Sequence, residues 1–196
     1  MDHSYVVRCG CGVLIMTTKA QATIEDLYKA PGKAEIVDGE LVLMSPTGAD
    51  PGFAGDEIFV SLREYARLRK TGRAVGDNKA FLVNLPNRKS FSPDAAFYIG
   101  PDPGMRFYNG APVFAVEVRS EHDYGPKAER KMAQKRADYF AAGTRVVWDV
   151  DLLSEDVIKV YRSTDPGNPA IYRSNETAEA EPAVPGWQMP VNDLFQ

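Results

Sequence analysis

The run VFAVEVR, Val113 to Arg119, is apolar on both of its alternating faces and carries one carboxylate, Glu117. Successive strand residues point to opposite sides, so a strand apolar on both belongs in the middle of a sheet covered on both faces. Glu117 then makes a chemical demand: a carboxylate withdrawn from water needs a cation or hydrogen-bond donors beside it. Immediately after it the chain turns polar, with Ser120, Glu121, His122 and Asp123, and this stretch reads as a solvated loop.

The flanking sequence supplies the rest of such a sheet. Thr23 and Asp26 form a capping box ahead of IEDLYKA, a short helix that Pro31-Gly32 ends. AEIVDGELVLM predicts a hairpin around Asp38-Gly39, a type I′ turn signal. SPTGADPGFAG reads as loop. Ile58, Phe59, Leu62, Tyr65 and Ala66 recur at helical spacing and predict an amphipathic helix over 56–68, stopped at Gly72. AVGDNKAFLVNL predicts extended structure around a turn, SFSPDAAFYIG a strand entered through Pro93, and PDPGMRFYNGAP a loop. Pro126 to Ala142 is the clearest helix, with proline suited to its first turn and Gly143 to the position after its end. RVVWDVD and VIKVYRS are two further strands. The remainder reads as a tail docked by Trp187, Val191, Leu194 and Phe195. The order implies an α/β or α+β chain with a mixed sheet flanked by helices. No linker divides it, so one domain is expected over 16–196.

Composition limits the partners. Among 196 residues, Lys plus Arg number 23 and Asp plus Glu 27, a formal charge of -4, so attraction to nucleic acid needs a local basic patch. Arg63, Arg67, Arg69, Lys70 and Arg73, with Lys127, Arg130, Lys131 and Arg136, are the candidates for tracking phosphates, or serve solubility alone. Cys9 and Cys11 are too few for a structural zinc site or a disulfide framework. No apolar run reaches the roughly 18–20 residues of a membrane span, and Arg8, two glycines and two cysteines break any signal-peptide core. A cytoplasmic protein is expected, with residues 1–15, including His3, a little-structured extension and Met16 the start.

Three side chains carry the candidate chemistry. Asp94 follows Pro93 at a strand start, Glu117 lies in the next apolar strand, and Lys135 lies on the following helix with Tyr139 at i+4 on the same face. Two carboxylates on neighbouring strands can share a hard cation such as Mg²⁺, and a nearby lysine can orient a metal-bound water or neutralise a phosphate. The same residues also admit plainer roles. Asp94 can cap a turn, Lys127, Lys131 and Lys135 form a ladder typical of a solvated helix face, and Glu117 can pair with Lys135 without metal.

SPD, then AVEVRS, then KRADYFAAGTRVVWDVD, together with AEIVDGELVLMSPTG and MTTKAQATIEDLY, resemble the bacterial Uma family of restriction-endonuclease-like proteins in the PD-(D/E)XK nuclease superfamily. The resemblance runs from about Met16 to the C-terminus. It implies a mixed β-sheet flanked by helices, with Pro93-Asp94 as the PD element and Glu117 as the acidic strand residue. It further implies Lys135 as the lysine, Tyr139 at i+4, Glu35 before the Asp-Gly turn, and a metal held by Asp94, Glu117 and the carbonyl of Val118. The chain departs from the pattern twice: Arg119 stands where the superfamily's plain motif has lysine, and Pro51 stands about where many members carry a histidine. Arginine stays protonated and grips phosphate, so Arg119 is an expected substrate-binding residue, with Lys131 of the basic helix face and Tyr139 in a supporting role beside it. The reading is an endonuclease that uses Mg²⁺ (or Mn²⁺) to hydrolyse phosphodiester bonds in DNA, expected as a homodimer. The other reading is a non-catalytic dimeric or nucleic-acid-binding module on the same fold. A small-molecule hydrolase is disfavoured, because no Ser or Cys nucleophile has a plausible His partner.

Overall fold

A computed structural model describes residues 5–9, 12–16 and 21–195, with side chains described from residue 21 onward. Its centre is a six-stranded sheet in the spatial order Asp165–Tyr172, Ile158–Arg162, Val146–Val150, Phe114–Val118, Ala95–Tyr98, Arg73–Gly76. Phe114–Val118 and Val146–Val150 run parallel; the other neighbours are antiparallel. A parallel pair needs a crossover, and the helix α3, Pro126–Ala141, supplies it. The helix ends where Gly143 takes a φ of 105°, a conformation glycine adopts without penalty.

Both faces of the sheet are covered, as the apolar Phe114–Val118 strand requires. Val116, Val118, Trp148 and Val150 pack toward Ala54, Ile58 and Leu62 of α2, Ala49–Arg69, and toward the C-terminal Trp187 and Leu194. Ala115 and Val147 face the other way, onto Tyr139 of α3. Glu117 alternates with Val116 and Val118 and therefore projects to the α3 side.

The hairpin Ala34–Val37 with Glu40–Leu43 turns through Asp38 and Gly39, whose φ values of 50° and 75° have the sign a type I′ turn requires. It is stitched to the Ser90–Phe91 strand: the Ile36 amide donates to Ser90 Oγ at 2.9 Å, and the Lys89 amide to the Ile36 carbonyl at 2.9 Å. The short helix α1, Ile24–Tyr28, opens with the expected capping box of Thr23 and Asp26.

The structure departs from the sequence reading in several places. Helix α2 starts at Ala49, so ADPGFAG is helical. Pro51 falls in its first turn, where a backbone N–H would lack an intrahelical partner and proline is tolerated, and the Gly52 amide makes the first helical bond, to the Gly48 carbonyl at 3.0 Å. The SFSPDAAFYIG strand is two strands, Ser90–Phe91 and Ala95–Tyr98, because Pro93 has no N–H to extend a ladder. Asp165–Tyr172, expected as tail, is an edge strand of the main sheet, a position that accommodates Pro166 and Pro169. Trp187, Val191 and Leu194 are buried as anchors, whereas Phe195 is exposed. Tyr5–Cys9 pairs antiparallel with Gly12–Met16 in the segment expected to have little structure. His3 and Cys11 lie outside the described residues. The basic residues do not form one surface, since α2 and α3 cover opposite faces of the sheet. Among the described residues no helix is long and apolar enough to cross a membrane.

Candidate active site

The demand made by Glu117 is met from α3. Lys135 Nζ donates to Glu117 Oε2 at 2.8 Å, and Tyr139 OH donates to Glu117 Oε1 at 2.6 Å. The i,i+4 spacing on the helix aims both donors at one carboxylate. Tyr139 is buried, with its ring stacked on Phe91 at 4.0 Å between centroids, so its hydroxyl is fixed in direction. Lys135 Nζ also lies 2.9 Å from Glu35 Oε1, and the ammonium thus bridges two glutamates. Its side chain, like that of Glu117, is only 18% exposed.

Glu35 is held on its other side as well. Oε2 accepts from Arg88 Nη1 at 2.5 Å, and Oε1 accepts from the Ser92 amide at 2.8 Å. Arg88 in turn donates through Nε to Asp138 Oδ2 at 2.9 Å, and Asn87 and Gln134 donate to Asp138 Oδ1. The buried chain Asp138–Arg88–Glu35–Lys135–Glu117 alternates in sign, which is what lets so many charges leave water together.

Asp94 reaches the same strand end from the neighbouring strand. Its Oδ2 accepts from the Val118 amide at 2.8 Å, and its own amide donates to the Val116 carbonyl at 3.0 Å. Its Oδ1 accepts from Lys33 Nζ at 2.6 Å, in a pair whose side chains are each 13% exposed.

These surroundings set the protonation states. Burial pushes the pKa of Glu117 up, and the charges of Asp94 and Glu35 add to it against the pull of Lys135 and Lys33. Burial also opposes the charge on Lys135, yet Glu117 and Glu35 more than offset this and raise its pKa. Lys135 is therefore a fixed cation rather than a base. Burial would raise Glu35 too, but Lys135 and Arg88 hold it below the ordinary 4.5. Its stabilising contribution is present above 4.5 and is lost as pH falls from there through the depressed value. Glu35→Gln is accordingly expected to cost about 3 kcal/mol at pH 7, and the gap from the parent protein to shrink steadily below the ordinary glutamate pKa. Urea unfolding at a series of pH values measures this; a gap independent of pH would refute it.

The structure thus gathers Glu35, Glu117, Lys135 and Tyr139, with Asp94 beside them. Among the described residues no three His, Cys, Asp or Glu side chains cluster as a metal-ligand set. Mg²⁺ keeps several waters and takes one or two carboxylates, so Asp94 and Glu117 are donors of the right chemistry and number. Val118 enters through its N–H, which orients Asp94.

Arg119 does not join them. It is buried, with Nε and Nη2 donating to Asp149 Oδ1 and Oδ2 at 2.9 and 3.0 Å, and it is paired also with Glu129. The expected grip on phosphate is therefore not available to it. Tyr139, fully buried, likewise positions Glu117 rather than presenting itself to a ligand. Lys131 is exposed on α3 one turn before Lys135. His122 is exposed, and Asp123 Oδ2 accepts from the Ser120 amide at 2.8 Å, a turn-stabilising role.

Sequence reasoning missed Lys33, Arg88 and Asp138. Lys33 stands two positions before Glu35, a spacing that places both on one side of an extended segment, so a signal existed. Arg88 lies in an aperiodic loop and offers none.

The sequence matches the family described as "Uma2: Putative restriction endonuclease" over residues 22–192. The fold is similar to a crystal structure described as a putative nuclease belonging to DUF820 from Anabaena variabilis ATCC 29413. The two share 16% identity and a TM-score of 0.68, over 89% of this chain and 97% of that one. No curated protein matches the sequence.

Proposed function

This chain belongs to the Uma2 family, described as restriction endonucleases of putative standing, and from that premise we propose that it hydrolyses phosphodiester bonds in DNA with Mg²⁺ or Mn²⁺ held by Asp94 and Glu117. The observation that carries this reading is the convergence of Asp94 and Glu117 at one strand end, with Lys135 bridging Glu117 and Glu35. Mutual repulsion of the carboxylates raises the pKa of Glu117 after burial has done so, and a divalent cation relieves both effects.

Bound there, the metal supplies a water of lowered pKa and charge stabilisation at the phosphate, so no histidine base is needed. Lys135, held protonated, would direct its ammonium toward the attacking water and face the negative charge that develops at the phosphate. Tyr139 fixes the rotamer of Glu117 through its hydroxyl, and Glu35 fixes Lys135. Arg88 and the Ser92 amide keep Glu35 in place, so that Tyr139, Glu35 and Arg88 are positioning residues. Asp94 is aimed by the Val118 amide.

The test is plasmid DNA incubated with the protein and Mg²⁺ or Mn²⁺, alongside an RNA substrate and an EDTA control. Cleavage that EDTA abolishes is expected, with Asp94→Asn lowering the rate by at least about 100-fold. If neither ion raises the melting temperature and no nucleic acid is cut, the chain is a non-catalytic module on a nuclease fold.

A further inference from the structure

The site contains a cation for which the metal reading has no use. Lys33 directly precedes the Ala34–Val37 strand, and its Nζ donates to Asp94 Oδ1 at 2.6 Å. The same nitrogen stands 2.6 Å from Asp77 Oδ1, at the end of the Arg73–Gly76 strand. That second contact is close enough for an ion pair but off the angle of a hydrogen bond, and the buried Asp77 oxygen receives none. Lys33 also acts electrostatically on Glu117. Its ammonium therefore stands against two carboxylates, Asp94 and Asp77, the first of which is a proposed metal ligand.

An ammonium at 2.6 Å from Asp94 Oδ1 occupies the space in which a cation would coordinate that oxygen. Lysine is a point charge on a flexible four-carbon stem, so it can withdraw without disturbing the strand that carries it. From this geometry we propose that Lys33 is a tethered counter-ion, which a divalent metal must displace from Asp94, so that Lys33 sets the metal affinity of the site. The inference rests on the metal-binding reading of Asp94 and Glu117. In the metal-free chain Lys33 keeps Asp94 and Asp77 from facing one another uncompensated, and it opposes loading by any ion that binds weakly.

Calorimetric titration of the full chain with Mn²⁺ alone, without nucleic acid, tests this on the parent protein, Lys33→Met, Lys33→Gln and Asp94→Asn. Both Lys33 variants are expected to bind Mn²⁺ about 10-fold more tightly than the parent, and Asp94→Asn to lose binding. Binding by the Lys33 variants alone would support the proposal equally. A second readout needs no variant: labelling of Lys33 by an amine-reactive ester, followed by mass spectrometry, should rise severalfold on addition of Mn²⁺. Lys29, whose side chain is already 70% exposed, is the internal reference and should not change. Equal affinity with and without Lys33, while Asp94→Asn still abolishes binding, overturns the counter-ion and leaves the metal site standing. No Mn²⁺ binding by any variant overturns both. Should the Lys33 variants fail to fold, unchanged labelling of a parent protein that calorimetry shows to be saturated with Mn²⁺ overturns the proposal by itself.

Discussion

Lys135→Met is expected to lower metal-dependent DNA cleavage by about 10²–10³-fold and to destabilise the fold by about 3 kcal/mol. The two losses have one origin. Lys135 lies between Glu117 and Glu35, at 2.8 and 2.9 Å, and methionine fills its volume without its charge. Glu35 keeps Arg88 and the Ser92 amide, but among the described residues Glu117 keeps only the Tyr139 hydroxyl as a close donor. A carboxylate already pushed toward protonation by burial then loses its chief compensation. Urea unfolding gives the stability term, and single-turnover cleavage well below the melting temperature gives the catalytic one. Lys135→Arg separates them: it returns the charge and much of the stability, but its planar fork differs from an ammonium in how it directs hydrogen bonds. If Lys135→Arg cleaves at the parent rate, charge alone matters at this position and the orienting role assigned to Lys135 is wrong.

How much of this site could be read from the chain depends on the range over which each signal acts. The charge inside FAVEV announced an unmet demand, and the i,i+4 pair of Lys135 and Tyr139 on the next helix was the local pattern able to meet it. A strand followed by a helix is short-range information, and the crossover brings the two together. Arg88 and Asp138 are different. They meet because the loop ahead of Ser90–Phe91 folds across the hairpin, and nothing in the spacing of NLPNRKSF encodes that approach. The basic residues failed in the opposite manner. Their density along the chain is real, but α2 and α3 lie on opposite sides of the sheet, and a count along the chain carries no side. The start of α2 is hidden in the sequence because Pro51, a helix breaker in an interior, carries no such penalty in a first turn.

Arg119→Met is expected to destabilise the protein by about 3 kcal/mol while leaving the salt dependence of DNA binding unchanged. Arginine here acts as a fork: Nε and Nη2 meet both oxygens of Asp149, a residue that faces Glu117 in parallel register and is almost wholly buried. Removing the fork leaves Asp149 with Arg136 at 3.0 Å as its remaining cation. The half-exposed Glu129 adds little, since a solvated ion pair is worth at most about 1 kcal/mol. Lysine would be a poor substitute, because a single ammonium cannot make two parallel bonds to one carboxylate. Arg119→Lys should therefore fall between the parent and Arg119→Met in urea unfolding. The alternative, a residue that grips phosphate, makes a different forecast. Loss of one phosphate contact would lower the slope of log affinity against log salt by about 1. A lowered slope at intact stability would return Arg119 to the nucleic-acid surface. An unchanged slope at reduced stability separates the two jobs along this strand end: the ammonium at Glu117 comes from Lys135 on α3, and position 119 ties the end of the Glu117 strand to Asp149 on its parallel neighbour.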